Sequence, residues 1–310
     1  MDASLSRRLL GLTAAAIAGL SLATGAASAT TAGHDGKIAF NRGGDIYTAN
    51  LDGTGLKRLT NDGGGNGWPS WNPAGSEIAW VHKGQVWLMN ADGTQNKAFA
   101  VGTSPSWSPN GRTIAYVGVD KSDKSCGAVP VVFTRPVTGG ARKVLEALNY
   151  GTYCSWGTQD FTWGYTTAWS GSHVEYGYTM NDEACDPYCN SYGFADNDRT
   201  QPYGTLVVQQ DSGDNQLPAP DVDTSPARPN VVWTGDGGVQ VTRIDGTFSK
   251  TVVADAKAFA PKYDPANTAI FYSTRTKGGT YLVKRVALAA SSVPATVLTN
   301  ASQADLQPVG

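Results

Sequence analysis

One pattern occurs twice in this chain. Pro69-Ser70-Trp71-Asn72-Pro73-Ala74-Gly75-Ser76-Glu77-Ile78-Ala79-Trp80 is answered by Pro105-Ser106-Trp107-Ser108-Pro109-Asn110-Gly111-Arg112-Thr113-Ile114-Ala115-Tyr116. Self-similarity of this kind marks a repeat architecture, in which each unit covers its apolar face with the next. Within each copy a short strand meets a Pro/Gly turn that cannot continue a ladder, and a second strand of alternating bulky and small residues follows. That is half of a propeller blade.

Six segments match the second strand: Ile38-Ala39-Phe40, Ile78-Ala79-Trp80, Ile114-Ala115-Tyr116, Phe161-Thr162-Trp163, Val231-Val232-Trp233 and Ile270-Phe271-Tyr272. In most of them a small residue stands between two bulky ones, which suits a strand buried on both faces with a neighbouring sheet pressed close on the small side. First strands are expected at 68–71, 105–107, 153–156, 220–222 and 261–263, and third strands at 45–49, 85–90, 130–135, 205–210, 238–244 and 280–286. Asp52-Gly53, Asp92-Gly93 and Asp245-Gly246 end third strands and read as tight hairpins rather than calcium loops, since further acidic ligands are missing. The sixth first strand comes from the far end of the chain. Residues 305–309 are followed by no second strand, while the region from Lys37 opens directly on one, so the two ends are expected to complete one blade and close the ring.

Trp107-Ser108-Pro109-Asn110-Gly111 with Ile114-Ala115-Tyr116, and Ile46-Tyr47 with Asp52-Gly53 and Leu59-Thr60, resemble the repeats of the TolB-like, WD40-like (PD40) β-propeller family. The resemblance spans most of residues 37–310 and implies an all-β, six-bladed propeller of four-stranded antiparallel blades. It also implies a binding platform. TolB proper carries an α/β domain ahead of its propeller, and only residues 30–36 stand there in this reading.

The first residues read as an export signal. Arg7 and Arg8 precede an apolar, Ala-rich run, and Ala27-Ser28-Ala29 offers a small-residue cleavage site, so residues 1–29 are expected to be a secretory signal peptide, with 30–36 a short leader. Ser6-Arg7-Arg8-Leu9-Leu10 also resembles a twin-arginine signal, which leaves the export route open. The apolar run is too short to span a membrane, and no integral membrane segment is expected in the mature chain. A formal net charge of -2, made more negative by loss of the signal peptide with its two arginines, argues against nucleic acid as a partner. For an exported chain the four cysteines, Cys126, Cys154, Cys185 and Cys189, are expected to form disulfides rather than a metal site. Cys126 with Cys154 and Cys185 with Cys189 is the pairing the blade topology favours, and other pairings remain open.

Between Tyr150 and Tyr203 the repeat is stretched, and aromatics crowd in. The extra length, at about 170–205, reads as an insertion between a second and a third strand. It is expected on the face of the ring that carries Cys126 and Cys154. Trp156, Phe161 and Trp163 are assigned to the blade, whereas Trp169, Tyr176, Tyr178, Tyr188 and Tyr192 are the candidate ligand-binding residues, able to build a stapled subcore or to offer flat faces to a sugar. Catalysis has little support: no Gly-x-Ser-x-Gly elbow occurs, His34, His82 and His173 are scattered, and no cofactor or metal is expected. The chain therefore reads as an exported, non-catalytic platform for an extracellular or envelope protein or a glycan. A secreted carbohydrate-active enzyme is the alternative, using two of Asp160, Glu175, Asp182, Glu183, Asp186, Asp196 and Asp198 at the channel mouth.

Overall fold

The computed structural model describes residues 34–121, 129–145, 159–182, 189–196, 205–213, 221–226, 229–235, 237–289 and 292–309. The described residues form twenty-four strands in six four-stranded antiparallel sheets. The first blade holds β1 (His34–Arg42), β2 (Asp45–Ala49) and β3 (Lys57–Arg58), and the second β4 (Asn66–Trp71), β5 (Glu77–His82), β6 (Gln85–Asn90) and β7 (Lys97–Val101). The third is β8 (Thr103–Trp107), β9 (Thr113–Asp120), β10 (Val129–Pro136) and β11 (Lys143–Val144). The fourth is β12 (Gln159–Ser170), β13 (His173–Asp182), β14 (Cys189–Asp196) and β15 (Thr205–Gly213). The fifth is β16 (Val222–Thr224), β17 (Asn230–Gly235), β18 (Gly238–Arg243) and β19 (Ser249–Val253). The sixth is β20 (Phe259–Tyr263), β21 (Ala269–Arg275), β22 (Tyr281–Ala287) and β23 (Ala295–Thr299).

The last strand, β24 (Ser302–Val309), returns to the first blade and pairs with β1 through Ile38↔Leu306 and Ala39↔Asp305. The first strands then touch in a cycle, β24 to β4, β8, β12, β16, β20 and back to β24. The ring is closed by the two chain ends, as the repeat count requires.

Packing between blades follows the bulky-small-bulky alternation. Ile78 and Trp80 pack toward the first blade, with Ala39, Ile46 and Trp71. Ala79, on the other face of the same strand, packs with Trp107, Ile114 and Tyr116 of the third blade. Successive residues of a strand point to opposite faces, so the outer pair of the triplet packs into the preceding blade while its central residue, alanine in the first three blades, meets the following one.

The fourth blade departs from the sequence reading. Its second strand is β13 rather than 161–163, its third is β14, and residues 205–213 form the fourth strand rather than the third. Most of 170–205 is therefore strand, not a loop between strands. The true counterpart of Ile78-Ala79-Trp80 is Val174-Glu175-Tyr176, all three buried, with a glutamate where the first three blades have alanine. The expected first strand at 153–156 lies outside the described residues, and β12 takes that place. The extra length appears as longer strands, with Gln159–Trp163 paired against Tyr178–Asp182 beyond the part of β12 that meets the channel.

Each blade enters the ring on one face and turns back on the other. Connections between second and third strands, and between blades, leave on the first face. The sequence positions of Cys126, Cys154 and Cys185 fall in such connections, so it is called the cysteine face here; these three cysteines lie outside the described residues, and Cys189 begins β14. The opposite, turn face carries the Pro/Gly turns. There a polar side chain caps the bends of the second and sixth blades: Asn72 Oδ1 accepts from the Ser76 and Glu77 amides, and Asp264 Oδ1 from those of Thr268 and Ala269. Gly75 closes its bend at a φ of 65°, and a Cβ there would collide with the Pro308 carbonyl. The Asp-Gly hairpins on this face are closed as turns, with Thr54, Thr94 and Thr247 each donating through backbone and hydroxyl to the preceding aspartate.

Candidate functional site at the channel

The channel is built from the six first strands, and a kink shared by four of them shapes it. Trp68, Ser104, Ala260 and Gln303 occupy equivalent positions near the start of each strand, and all have positive φ, between 48° and 55°. In each strand the pairing register slips at this point. A bulge of this kind turns the strand and re-aims the residues after it. Proline follows in three of the four, as Pro69, Pro105 and Pro261. It is tolerated because the innermost strand of a blade needs no partner on its channel side.

Two positions after the bulge lies a ring of six residues. Ser70, Ser106 and Ala168 form one arc, and Asp223, Lys262 and Asp305 the other. Lys262 lines both the cavity opening toward the cysteine face and the one opening toward the turn face, which puts it at the waist of the channel. Its Nζ lies 3.4 Å from Asp223 Oδ1. The carboxylates also tie blades together: Asp305 Oδ2 accepts from the Trp71 amide at 2.7 Å, Asp223 Oδ2 from the Tyr263 amide at 2.8 Å, and Asp221 Oδ2 from the Ala260 amide at 2.6 Å.

Three carboxyls around one ammonium in a narrow waist cannot all ionise freely. Burial pushes Asp221 up to about 6, against the Ala260 amide and the pull of Lys262. Burial also raises Asp305 to about 6 and raises Asp223, with Lys262 opposing both shifts. For Lys262, burial works against the charge, but attraction from Asp223, Asp305 and Asp221 wins and holds its pKa above the ordinary lysine value. The cluster is thus anchored by a firm cation, and its carboxyls titrate closer to neutrality than usual.

The turn-face mouth is a cavity of about 50 Å³ between Trp71, Trp107, Trp169 and Tyr263, with Pro73, Pro109 and Pro308 on its walls and Asp223, Lys262 and Asp305 also lining it. Trp107 Nε1 donates to the Ser70 carbonyl and Trp169 Nε1 to that of Ser106, each indole bonding the preceding blade. Trp71 breaks the series. Its Nε1 and the Tyr263 hydroxyl are buried and have no hydrogen-bond partner among the described residues. A buried polar group left unpaired costs roughly 1–3 kcal/mol, so two of them on residues that line one small cavity set this mouth apart from the rest of the ring.

The candidate residues named from the sequence do not gather in one place. Trp169 stands at the turn-face mouth, half-buried. Tyr176 is fully buried inside the fourth blade and cannot present a face to a ligand. The backbones of Tyr178 and Tyr192 lie toward the cysteine-face ends of β13 and β14, opposite Gly193 and Thr179, and Tyr188 lies outside the described residues. Of the candidate carboxylates, Glu175 is sealed in the blade, and Asp196 pairs with His173 at 3.2 Å on the turn face, away from the channel. The acids that do line the channel, Asp221, Asp223 and Asp305, were not singled out as site residues. Aligning each first strand with Ser70 and Ser106 would have exposed them, because the ring position then reads Ser, Ser, Ala, Asp, Lys, Asp.

No protein-family model matches the chain, and a comparison with curated proteins returns no match. Solved structures do match. TolB from Acinetobacter baumannii superposes with a TM-score of 0.61 at 12% identity, over 88% of this chain and 67% of that one. A structure assigned to TolB from Agrobacterium tumefaciens gives 0.59 at 14% identity, over 88% and 98%. Kuenenia stuttgartiensis hydrazine synthase gives 0.57 at 14%, over 89% of this chain but 47% of its own. At these identities the likeness speaks for architecture alone, and the architecture of this chain is that of a TolB-like six-bladed β-propeller.

Proposed function

We propose that the chain works after export as a non-catalytic binding platform for a protein partner, engaged at the turn-face mouth of the channel. The observation that carries this reading is the narrow mouth walled by Trp71, Trp107, Trp169 and three prolines, with Lys262 and its carboxylates at its floor. A cavity of about 50 Å³ is too small for a sugar ring and has room for little more than a water or the tip of one side chain. That favours a protein that inserts a single group while the surrounding prolines and indoles take the rest of the contact. The longer strands of the fourth blade, β13 and β14, are read as a second contact surface on the cysteine face. Export rests on the leader sequence, and no helix among the described residues is long and apolar enough to cross a membrane.

The hydrolase reading has one specific observation in its favour, two carboxyls with raised pKa at an aromatic mouth. Both are engaged by backbone amides of the neighbouring blade, however, and Asp223 is engaged by Lys262 as well, which is structural work. A quantitative pull-down from the native secretome separates the readings. Capture of a defined protein should drop at least tenfold with Trp169→Ala and stay unchanged with Asp52→Ala on the outer hairpin. Equal capture by the wild type and Trp169→Ala would remove the mouth from the interface. Glycan turnover abolished by Asp305→Asn would replace the platform with an enzyme.

A further inference from the structure

A second concave site lies in the sixth blade on the cysteine face, away from the channel. Its open cavity, about 700 Å³, is lined by Lys257, Phe259, Arg275, Lys277 and Tyr281, with Thr276 and Gly279 completing the wall. Lys257 belongs to the connection from β19 to β20, and residues 276–280 form the turn from β21 to β22. Three cations and no acid line this cavity, in a chain whose formal charge is -2. None of the three makes an ion pair among the described residues. The nearby Asp255 is occupied, accepting from the Lys257 amide and the Thr274 hydroxyl.

The side chains are held in position. Arg275 Nε donates to the Gly279 carbonyl at 3.2 Å, and its guanidinium lies 5.4 Å from the centre of the Tyr281 ring. Phe259 meets Tyr281 edge to face at 5.9 Å. Gly279, with a φ of 87°, leaves room for the guanidinium, since a Cβ there would come within 3.3 Å of Nη2. With Nε engaged, the terminal nitrogens remain to form a fork for an anionic group. The exposed ring of Tyr281 gives an apolar plate beside it.

We infer that this cavity binds an acidic saccharide, with a sugar carboxylate held between Arg275 and the lysines and a sugar ring laid against Tyr281. The volume is in the range that holds a small ligand rather than a single ion. An acidic peptide bound by strand addition fits less well, because that mode needs a free strand edge. Here the wall is a turn whose amides are used internally: Gly279 donates to Thr276, and Thr276 and Thr280 close on each other. The inference is independent of what the channel takes.

Titration calorimetry of the mature full-length chain tests it, with a trimer of mannuronate as probe. Maltotriose is the neutral control, inorganic phosphate the bare anion, and hexaglutamate the acidic peptide. The mannuronate trimer should bind with an affinity that falls at least tenfold in Arg275→Gln and in Tyr281→Ala, and that weakens with salt. Maltotriose should not bind. Both substitutions are at exposed positions, and unchanged thermal unfolding will confirm that the variants fold. Failure of the trimer to bind, or binding indifferent to both substitutions, overturns the site. Phosphate binding equal to that of the trimer and insensitive to Tyr281→Ala reduces it to an anion hole, and tighter hexaglutamate binding assigns it to peptides; either result overturns the saccharide.

Discussion

The two arcs of the channel perform one task with two chemistries. In the neutral arc, Ser70, Ser106 and Ala168 are small, and blades are joined by indoles that donate to backbone carbonyls, as Trp107 does to Ser70 and Trp169 to Ser106. In the charged arc, Asp223 and Asp305 reach across and accept backbone amides, with Lys262 between them. Both arcs satisfy the inner strand of a neighbouring blade, the indoles that of the preceding one and the carboxylates that of the next. They differ in what happens when conditions change: an indole has no charge to lose, whereas buried carboxyls respond to pH and need their counter-charge. The second solution closes the ring as the first does but makes the joint depend on pH, which sets the charged arc apart.

Three measurements would sharpen that contrast. The largest effect is expected in the neutral arc, where Trp107→Ala removes a buried indole and its hydrogen bond and should cost about 4–5 kcal/mol in chemical denaturation, at any pH between 5 and 8. A loss under about 2 kcal/mol would mean that the indole is not the main joint between the second and third blades.

Next comes Lys262→Met, expected to cost about 3 kcal/mol at pH 7 by leaving the three carboxyls of the waist without their cation. The loss should shrink on acidification toward pH 5, because Asp305 and Asp221 then take up protons. A pH-independent loss would show that packing of the lysine stem, not charge, is what matters.

The third test isolates titration. The folded-state pKa of Asp305, about 6, is above its unfolded value, so the folded protein holds that proton more tightly. Its contribution is most favourable below about pH 4 and declines as the pH rises to about 6, by an amount on the order of 2–3 kcal/mol. Asp305→Asn keeps an acceptor for the Trp71 amide but cannot ionise, and should flatten stability between pH 4 and 7 relative to the wild type. An unchanged slope would assign the titration to other groups.

The second and third blades were legible because one sequence pattern serves both their strands and their turn. Six blades and closure by the chain ends follow from counting its echoes. The fourth blade was misread for a physical reason. Phe161-Thr162-Trp163 and Val174-Glu175-Tyr176 belong to adjacent strands, and the period of two is the same in both, so alternation alone cannot say which is first and which is second. The glutamate at the small-residue position removed the cue that worked elsewhere.

The sequence by itself determined the propeller, its blade number and the chemistry of its turns, because these rest on local patterns that repeat: alternation, Pro/Gly punctuation and Asp-Gly hairpins. The tertiary structure alone decided the channel. Asp223, Lys262 and Asp305 are far apart along the chain and stand in three different blades, and only closure of the ring brings them to one waist, where burial raises the carboxyl pKa values. The basic cavity of the sixth blade has the same origin on a smaller scale, since Lys257 and Arg275 become neighbours only when two connections leave on the same face.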